Sequence, residues 1–324
     1  MKSKEQILEL FTKLRYETAV YIQAHNFPDH DAIASAYGLQ KLMERFGVHA
    51  EITFDGDIER ESLRRMIENL NIKLVHAHEL EMKKTDKIII VDGCKHNRNV
   101  TDLPGEEMGI IDHHSIDVPD DVLYVDLRPN YGSTSTIIYE YYLKTHQTFT
   151  KNVATAMMIG LNKDTAGLTR GVNYHDVIAY SDLWHNADME YVNSIMRNDI
   201  EMSDLEYFSL GINKMKTFRN FGFIFFEQGC QQNLLGVLGD FFLTLNELDF
   251  VVLAARNNNK INLSIRSEYK KWNAALVIEK ALQGIGFGGG HEDMAGGIID
   301  EQVNYSEDML FEIFKNALFE EKAA

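Results

Sequence analysis

Only two cysteines, Cys94 and Cys230, occur in 324 residues, and they form no CxxC pair. This excludes a disulfide framework and fits a reducing, cytoplasmic compartment. No apolar run approaches the roughly 18 residues of a membrane span, so no membrane partner is expected. The opening segment MKSKEQILEL lacks the apolar centre of a signal peptide and reads as an amphipathic helix. Basic residues are scarce: 32 Lys and Arg stand against 49 Asp and Glu, a formal net charge of -17. Long nucleic acid normally needs a basic footprint, so a surface built to hold it is not expected. Internal repeats and low-complexity tracts are also missing.

What is present is the composition of an ordinary globular chain, with 45% hydrophobic and 25% charged residues. The length suggests two domains. In the first part, strand and helix signals alternate. Ala19 to Ala24, Val48 to Phe54, Lys87 to Val91 and Met108 to Ile111 read as strands. Asp31 to Phe46, Ile58 to Leu70, Ser133 to Lys144, Lys151 to Leu161 and His175 to Arg197 read as helices. This βαβ rhythm predicts an α/β fold with a doubly wound, mostly parallel sheet flanked by helices. The polar, helical stretch 189–212 reads as a connector, leaving domains at 1–188 and 213–324. The second domain is expected to be a smaller α/β unit. Its helices are expected around Asp240 to Leu248, over Asn273 to Gln283 and over Tyr305 to Phe319, with a glycine loop at 284–290. Strands are expected at Phe221 to Phe226, Phe250 to Arg256 and Lys260 to Ser267.

Four segments place acidic residues and histidines after or near strands. They are His25-x3-Asp29-x-Asp31 after VYIQA, Asp92 after KIIIV, Asp112-His113-His114 after GII, and Asp164 in GLNKDTAG. In an open α/β sheet the carboxyl ends of strands gather along one edge, where ligands bind. Oxygen and imidazole donors without thiolate suit a hard to borderline divalent metal such as Mn2+. Two such ions about 3.5–4 Å apart can activate water and clamp both oxygens of a phosphoryl displacement. Such a pair needs one bridging group, and Asp92, alone on its motif, is the natural bridge. Asp29 and Asp31, two apart, could each face a different ion; His25 sits four residues before Asp29 at the strand end, and His113 and Asp164 complete the second ion. His114 is then surplus to ligation and suits contact with the scissile phosphate. Asp112 could hold one of the histidines in its working tautomer. The overall negative charge does not oppose a small phosphate-bearing substrate, because a metal pair sets the local charge.

These motifs, HNFPDHDAIAS, VDGC, IIDHHS and NKDTAG, together with the late SIRS and GFGGGHEDMAGG, strongly resemble the DHH phosphoesterase superfamily with its DHHA1 domain. The resemblance runs from about Val20 to Ile299. It implies a catalytic DHH domain, a substrate-binding DHHA1 domain and an active site in the cleft between them. It implies one Mn2+ on His25, Asp29 and Asp92 and a second on Asp31, Asp92, His113 and Asp164. It also implies substrate binding by Arg266, Gly288, Gly289, Gly290 and His291. Size and ending look like the stand-alone oligoribonuclease and 3′-phosphoadenosine 5′-phosphate phosphatase group. The expected activity is therefore that of an exonuclease-like phosphoesterase on short oligonucleotides of roughly two to five nucleotides, or on nucleotide phosphates. Alternatives are an adenosine bisphosphate phosphatase only, a linear or cyclic dinucleotide phosphodiesterase, and a nucleotide-binding sensor without turnover. A homodimer is compatible with all of these.

The chain departs from the family pattern at two points. His30 stands between the two aspartates where glycine is frequent, and Met294 stands where alanine is common. Among single residues, Arg98 is read as reaching either a phosphate or a carboxylate. Ser133 and Thr134 read as the cap of the following helix, with a contact to the active site left open. Trp184, Trp272, Phe241 and Phe242 read as core before base-stacking platforms.

Overall fold

The computed structural model describes residues 2–97, 99–115, 120–268, 272–300 and 304–319. Arg98 and the acidic tail 320–324 lie outside them. The chain divides into two compact units, Met1–Asp199 and Ile200–Ala324.

The first unit runs α1 (Lys4–Leu14), β1 (Val20–Gln23), α2 (His30–Glu44), β2 (Glu51–Phe54), α3 (Glu61–Asn69) and β3 (Leu74–His76). It continues with β4 (Lys87–Val91), β5 (Glu106–Asp112), β6 (Tyr124–Leu127), α4 (Thr134–Lys144), α5 (Lys151–Asp164), α6 (Tyr174–Asn186) and α7 (Met189–Arg197). Its six strands lie in the order β3-β2-β1-β4-β5-β6, and every pairing is parallel. Strand order reverses between β1 and β4, which makes their carboxyl ends the switch point of a doubly wound sheet. β4 shows how the apolar run is used: Ile89 and Val91 enter the large core with α1, α2, α4 and α5, while Ile88 and Ile90 face a smaller cluster with Cys94, Val100 and Ile110. Burial on both faces is why this strand reads as a continuous apolar run instead of an alternating one.

The single helix expected over 175–197 is two helices. Ala187 is extended (φ -82°, ψ 161°), and Asp188 then caps α7 by accepting from the Tyr191 N–H. α7 buries Val192 and Ile195 in the core of the first unit. The chain leaves that unit after Asp199, within the stretch 189–212.

The second unit runs α8 (Leu205–Lys214), β7 (Lys216–Phe218), β8 (Phe221–Phe226), α9 (Gln232–Leu243), β9 (Phe250–Asn257) and β10 (Lys260–Ser267). α10 (Ala274–Leu282), β11 (Gly286–Gly290), β12 (Met294–Asp300) and α11 (Glu307–Phe319) follow. The strand order is β11-β12-β10-β9-β8-β7, antiparallel except between β8 and β9. The helix expected around Asp240 to Leu248 lies earlier, in α9. Leu234, Leu235, Leu238 and Phe242 give it a buried helical stripe that overrides the weak propensity of Gly236 and Gly239. The glycine run expected as a loop is mostly strand β11. Glycine disfavours strands, but here α10 lies so close that a Cβ at Gly288 would meet Ile278 Cγ1 at 2.7 Å. On the paired strand a Cβ at Gly297 would meet Ile278 Cδ1 at 2.7 Å. Trp272 and Phe242 are buried, whereas Trp184 and Phe241 are exposed and are not core residues.

Candidate metal centre

Each acidic or histidine motif of the first unit sits at the carboxyl edge of its sheet or on a helix that reaches it. His25 follows β1, Asp92 follows β4, and Asp112 closes β5 with His113 and His114 beyond it. Asp29 caps α2: its Oδ1 accepts from the N–H groups of Asp31 (2.9 Å) and Ala32 (3.0 Å). That fixes the side chain and turns the other oxygen, Oδ2, toward His25 Nε2 at 3.8 Å. His25 Nδ1–H donates to the Asn26 carbonyl at 2.9 Å, so Nε2 is the nitrogen left to face carboxylates. Asp92 Oδ2 also lies 3.8 Å from that Nε2.

Asp92 is buried, and its backbone lies in the left-handed region at φ +55°. A non-glycine residue held there stores backbone strain, a feature that clusters at functional sites. Its N–H donates to the Ile111 carbonyl of β5 at 3.0 Å, which anchors the turn. Oδ1 faces the opposite way from Oδ2, toward His113 Nε2 at 3.6 Å. His113 Nε2 also lies 3.1 Å from Asp164 Oδ2, and its Nδ1–H donates to the Tyr131 carbonyl at 3.0 Å. His113 and His25 thus share one device: a backbone carbonyl takes Nδ1–H and aims Nε2 into the acidic cluster.

Asp31 is fully buried and held by the N-terminus of α4. The Thr134 N–H donates to Oδ2 at 2.6 Å and the Ser135 N–H to Oδ1 at 3.1 Å. A carboxylate gains there from unsatisfied amides and from the helix dipole. Ser133 caps the same helix by accepting from the Thr136 N–H.

Three groups of the first unit share Asp92: His25, Asp29 and Asp92; Asp31, Asp92, His113 and Asp164; and Asp92, Asp112, His113 and His114. The first two have only Asp92 in common and are the two candidate ligand sets. Within each set the donor atoms lie within 4.8 Å of one another. The electrostatics fit divalent cations. Burial raises Asp31 well above the ordinary carboxylate value, and the charges of Asp164 and Asp92 add to it. Burial likewise pushes Asp92 up to about 6, with Asp29 adding and His113 opposing. Burial works against charge on His25, but Asp29, with Asp92 and the Asn26 carbonyl adding, lifts the imidazole to about 10. All the donor atoms are oxygen or imidazole nitrogen, a set suited to Mn2+.

His114 stands apart from both sets. Its Nδ1–H donates to Asp112 Oδ1 at 2.7 Å, and its backbone N–H donates to the same oxygen at 3.1 Å. Asp112 is fully buried and held down to about 2: burial opposes its charge, and His114 outweighs that.

In the second unit, Arg266 on β10 lays its side chain against α9. Its Nε lies 2.6 Å from Asp240 Oδ1, and Nη1 donates to Ser264 Oγ at 3.2 Å. Gly239 makes room, since a Cβ there would meet Arg266 Cγ at 3.1 Å. Gly288, Gly289 and Gly290 lie in β11, and the His291 N–H donates to the Met294 carbonyl at 2.7 Å, closing the turn into β12. Of the two departures, Met294 opens β12, and His30 is the buried first residue of α2.

Sequence reasoning missed three supporting groups: the Asn26 and Tyr131 carbonyls and the Ser135 N–H. For Ser133 and Thr134 the sequence offers a cap and leaves a contact to the site open, and Thr134 makes that contact through its N–H to Asp31 and its hydroxyl to Asp92.

Family comparisons agree with this architecture. Residues 19–161 match the DHH family, N-terminal domain, and residues 220–317 match the DHHA1 domain. An uncharacterized protein of Methanocaldococcus jannaschii is 26% identical over 285 residues, covering 88% of this chain and 58% of its own length. A probable manganese-dependent inorganic pyrophosphatase of Streptococcus thermophilus is 26% identical over 150 residues, 45% of this chain and 48% of that protein. The chain thus spans about half the length of these relatives. Among solved structures, an exopolyphosphatase-related protein from Bacteroides fragilis has the same fold, with TM-score 0.77 at 19% identity, covering 97% of this chain and 95% of that one.

Proposed function

We propose, from the premise that this chain is a DHH-family phosphoesterase with a C-terminal DHHA1 domain, that it hydrolyses short oligonucleotides or nucleotide phosphates with two divalent ions. The ions are Mn2+, in keeping with the manganese-dependent relatives. The observation that carries this reading is the sharing of Asp92 by two ligand sets, with Oδ2 toward His25 and Oδ1 toward His113. When bound, a metal pair supplies an activated water and clamps phosphoryl oxygens. The chain's own part is to hold that pair and to position the phosphate. His114, oriented by Asp112, donates from its second nitrogen to the scissile phosphate. Arg266 and the 288–291 segment grip a part of the substrate away from the scissile bond. Arginine suits a terminal phosphate because its planar fork gives paired, charge-assisted hydrogen bonds.

The preference for short substrates, roughly two to five nucleotides, rests on the net charge of -17, which repels the many phosphates of a long strand. A turnover assay with Mn2+ on a dinucleotide, on 3′-phosphoadenosine 5′-phosphate, on a cyclic dinucleotide and on pyrophosphate tests the proposal. Turnover of the dinucleotide supports it. Turnover of pyrophosphate alone would overturn the substrate class, and tight binding without turnover would make the chain a nucleotide sensor.

A further inference from the structure

One residue touches both ligand sets through different atoms. The Thr134 N–H donates to Asp31 Oδ2 at 2.6 Å, and its Oγ1–H donates to Asp92 Oδ1 at 2.9 Å. Thr134 is fully buried, as is Asp31, and Asp92 is nearly so. Like charges this close repel, and buried carboxylates need donors to stay in place. A metal-free site would therefore splay or take up protons unless such donors were fixed. Here they are fixed by α4 itself. The Ser133 cap, accepting from the Thr136 N–H, orders the turn that carries both Thr134 donors.

Asp92 is the ligand whose orientation matters most, because each of its oxygens must face a different ion. Its backbone is anchored to β5 through the Ile111 carbonyl. The Thr134 hydroxyl supplies the second fixed point, on Oδ1, the oxygen nearer His113. Rotation of the carboxylate about its last bond would break that hydrogen bond and exchange the two oxygens. We propose that Thr134 is a positioning residue that locks the Asp92 carboxylate across the two ion sites and aligns Asp31 with it. This rests on the two-ion reading. The hydroxyl does the locking, while the N–H is available from any residue at the position.

The test separates the two atoms. Thr134→Val and Thr134→Ala keep the N–H and lose the hydroxyl, and Thr134→Ser keeps both. Metal-free proteins are titrated with Mn2+, and free ion is read from its solution EPR signal. Their melting temperatures are measured before metal is added. In the wild-type chain two ions are expected. In Thr134→Val and Thr134→Ala the free Mn2+ needed for full occupancy should rise about 10- to 100-fold, the usual effect of removing a partner from a ligand. Thr134→Ser should stay within about threefold of wild type. Wild-type occupancy curves for Val and Ala variants that fold would overturn the proposal. So would equal weakening in all three variants, which would point to packing. A fall in metal-free melting temperature with unchanged Mn2+ binding would assign Thr134 a purely structural role. A wild-type chain that binds a single ion would instead break the two-ion reading, and the variants would still report on Thr134 at that ion.

Discussion

His114 is pinned to Asp112 twice, through its ring Nδ1 at 2.7 Å and through its own backbone N–H at 3.1 Å, both to the same oxygen. A side chain pinned so firmly outside the two ligand sets is suited to holding a substrate oxygen. His114→Ala should therefore keep both ions and lose roughly 10²–10³ in kcat, the scale of removing one donor to developing charge. Asp112→Asn should weaken turnover by about 10- to 100-fold with metal content intact, because the imidazole loses the acceptor that sets its tautomer. Metal analysis beside steady-state kinetics decides. Loss of an ion in His114→Ala would make that histidine a ligand.

Asp92 is ionised at a cost in the metal-free protein. Burial lifts its carboxyl to about 6, with Asp29 adding to the effect. A raised carboxyl favours the folded state fully below the unfolded value near 4, and that contribution is lost as pH rises through about 6. At pH 8 the metal-free Asp92→Asn variant should thus be more stable than metal-free wild type, by about 1–3 kcal/mol. Mn2+ should raise the melting temperature of wild type strongly and that of the variant little. Calorimetry with and without Mn2+ reads both effects, and an equal Mn2+ response in the two proteins would remove Asp92 from the site.

As a proposed ligand, His25 should give the metal affinity a pH dependence. Its imidazole is lifted to about 10: burial opposes the charge, and Asp29, with Asp92 and the Asn26 carbonyl adding, lifts it. Binding an ion at Nε2 must expel that proton, so protons compete with Mn2+ at every pH below about 10. Apparent affinity should climb by about tenfold per unit between pH 7 and 9, one proton being released per ion at this set. Mn2+ titrations at pH 7, 8 and 9 measure the slope. A flat response would place His25 outside the first ligand set.

Gly160 on α5 is the point where three helices meet the metal centre. A Cβ there would lie 2.6 Å from Ser135 Oγ, 2.7 Å from Asp31 Oδ1 and 3.0 Å from the Ala34 Cβ. Alanine normally stabilises a helix interior by about 1 kcal/mol over glycine. Here Gly160→Ala should destabilise by about 1–3 kcal/mol, because backbone-anchored neighbours must move. It should also weaken Mn2+ binding by displacing Asp31. A variant that melts at or above wild type and binds Mn2+ normally would show that the helices yield freely.

The clustering of these acidic and histidine residues is legible in the sequence because each of the main motifs couples a strand-forming run to Asp or His at the strand's end, and a parallel sheet must bring those ends together. That logic needs no knowledge of distant contacts. The Thr134 contacts needed it: Thr134 lies 103 residues from Asp31 and 42 from Asp92 in sequence. A hydroxyl at the start of a helix looks alike whether it merely caps or also reaches a ligand. The glycine run 286–290 was misread for a related reason. Local propensity says loop, and only the approach of Ile278 on α10 explains why glycine is needed within a strand. α9 was displaced toward the C-terminus because Gly236 and Gly239 weaken its local signal, whereas packing along β10 favours small residues there.

The roles proposed for the two units yield the last prediction. The ligand sets belong to the first unit, while Arg266 and His291 belong to the second. Arg266 is held by Asp240 at 2.6 Å and by Ser264, so its guanidinium is oriented before any substrate arrives. A preorganised arginine loses less freedom on binding, and on the proposed reading it serves a substrate phosphate or base away from the scissile bond. Such remote binding energy helps only substrates long enough to reach it. Arg266→Ala and His291→Ala should therefore lower kcat/KM on a dinucleotide by about 2–4 kcal/mol. They should barely change hydrolysis of a small artificial phosphodiester that meets the metal ions alone. Asp240→Asn keeps the arginine and loosens its anchor, so it should fall between these variants and wild type on the dinucleotide. Parallel kcat/KM measurements on the two substrates make the comparison. Equal losses on both would mean that Arg266 and His291 serve the metal centre or the fold, and the assignment of substrate grip to the second unit would fail.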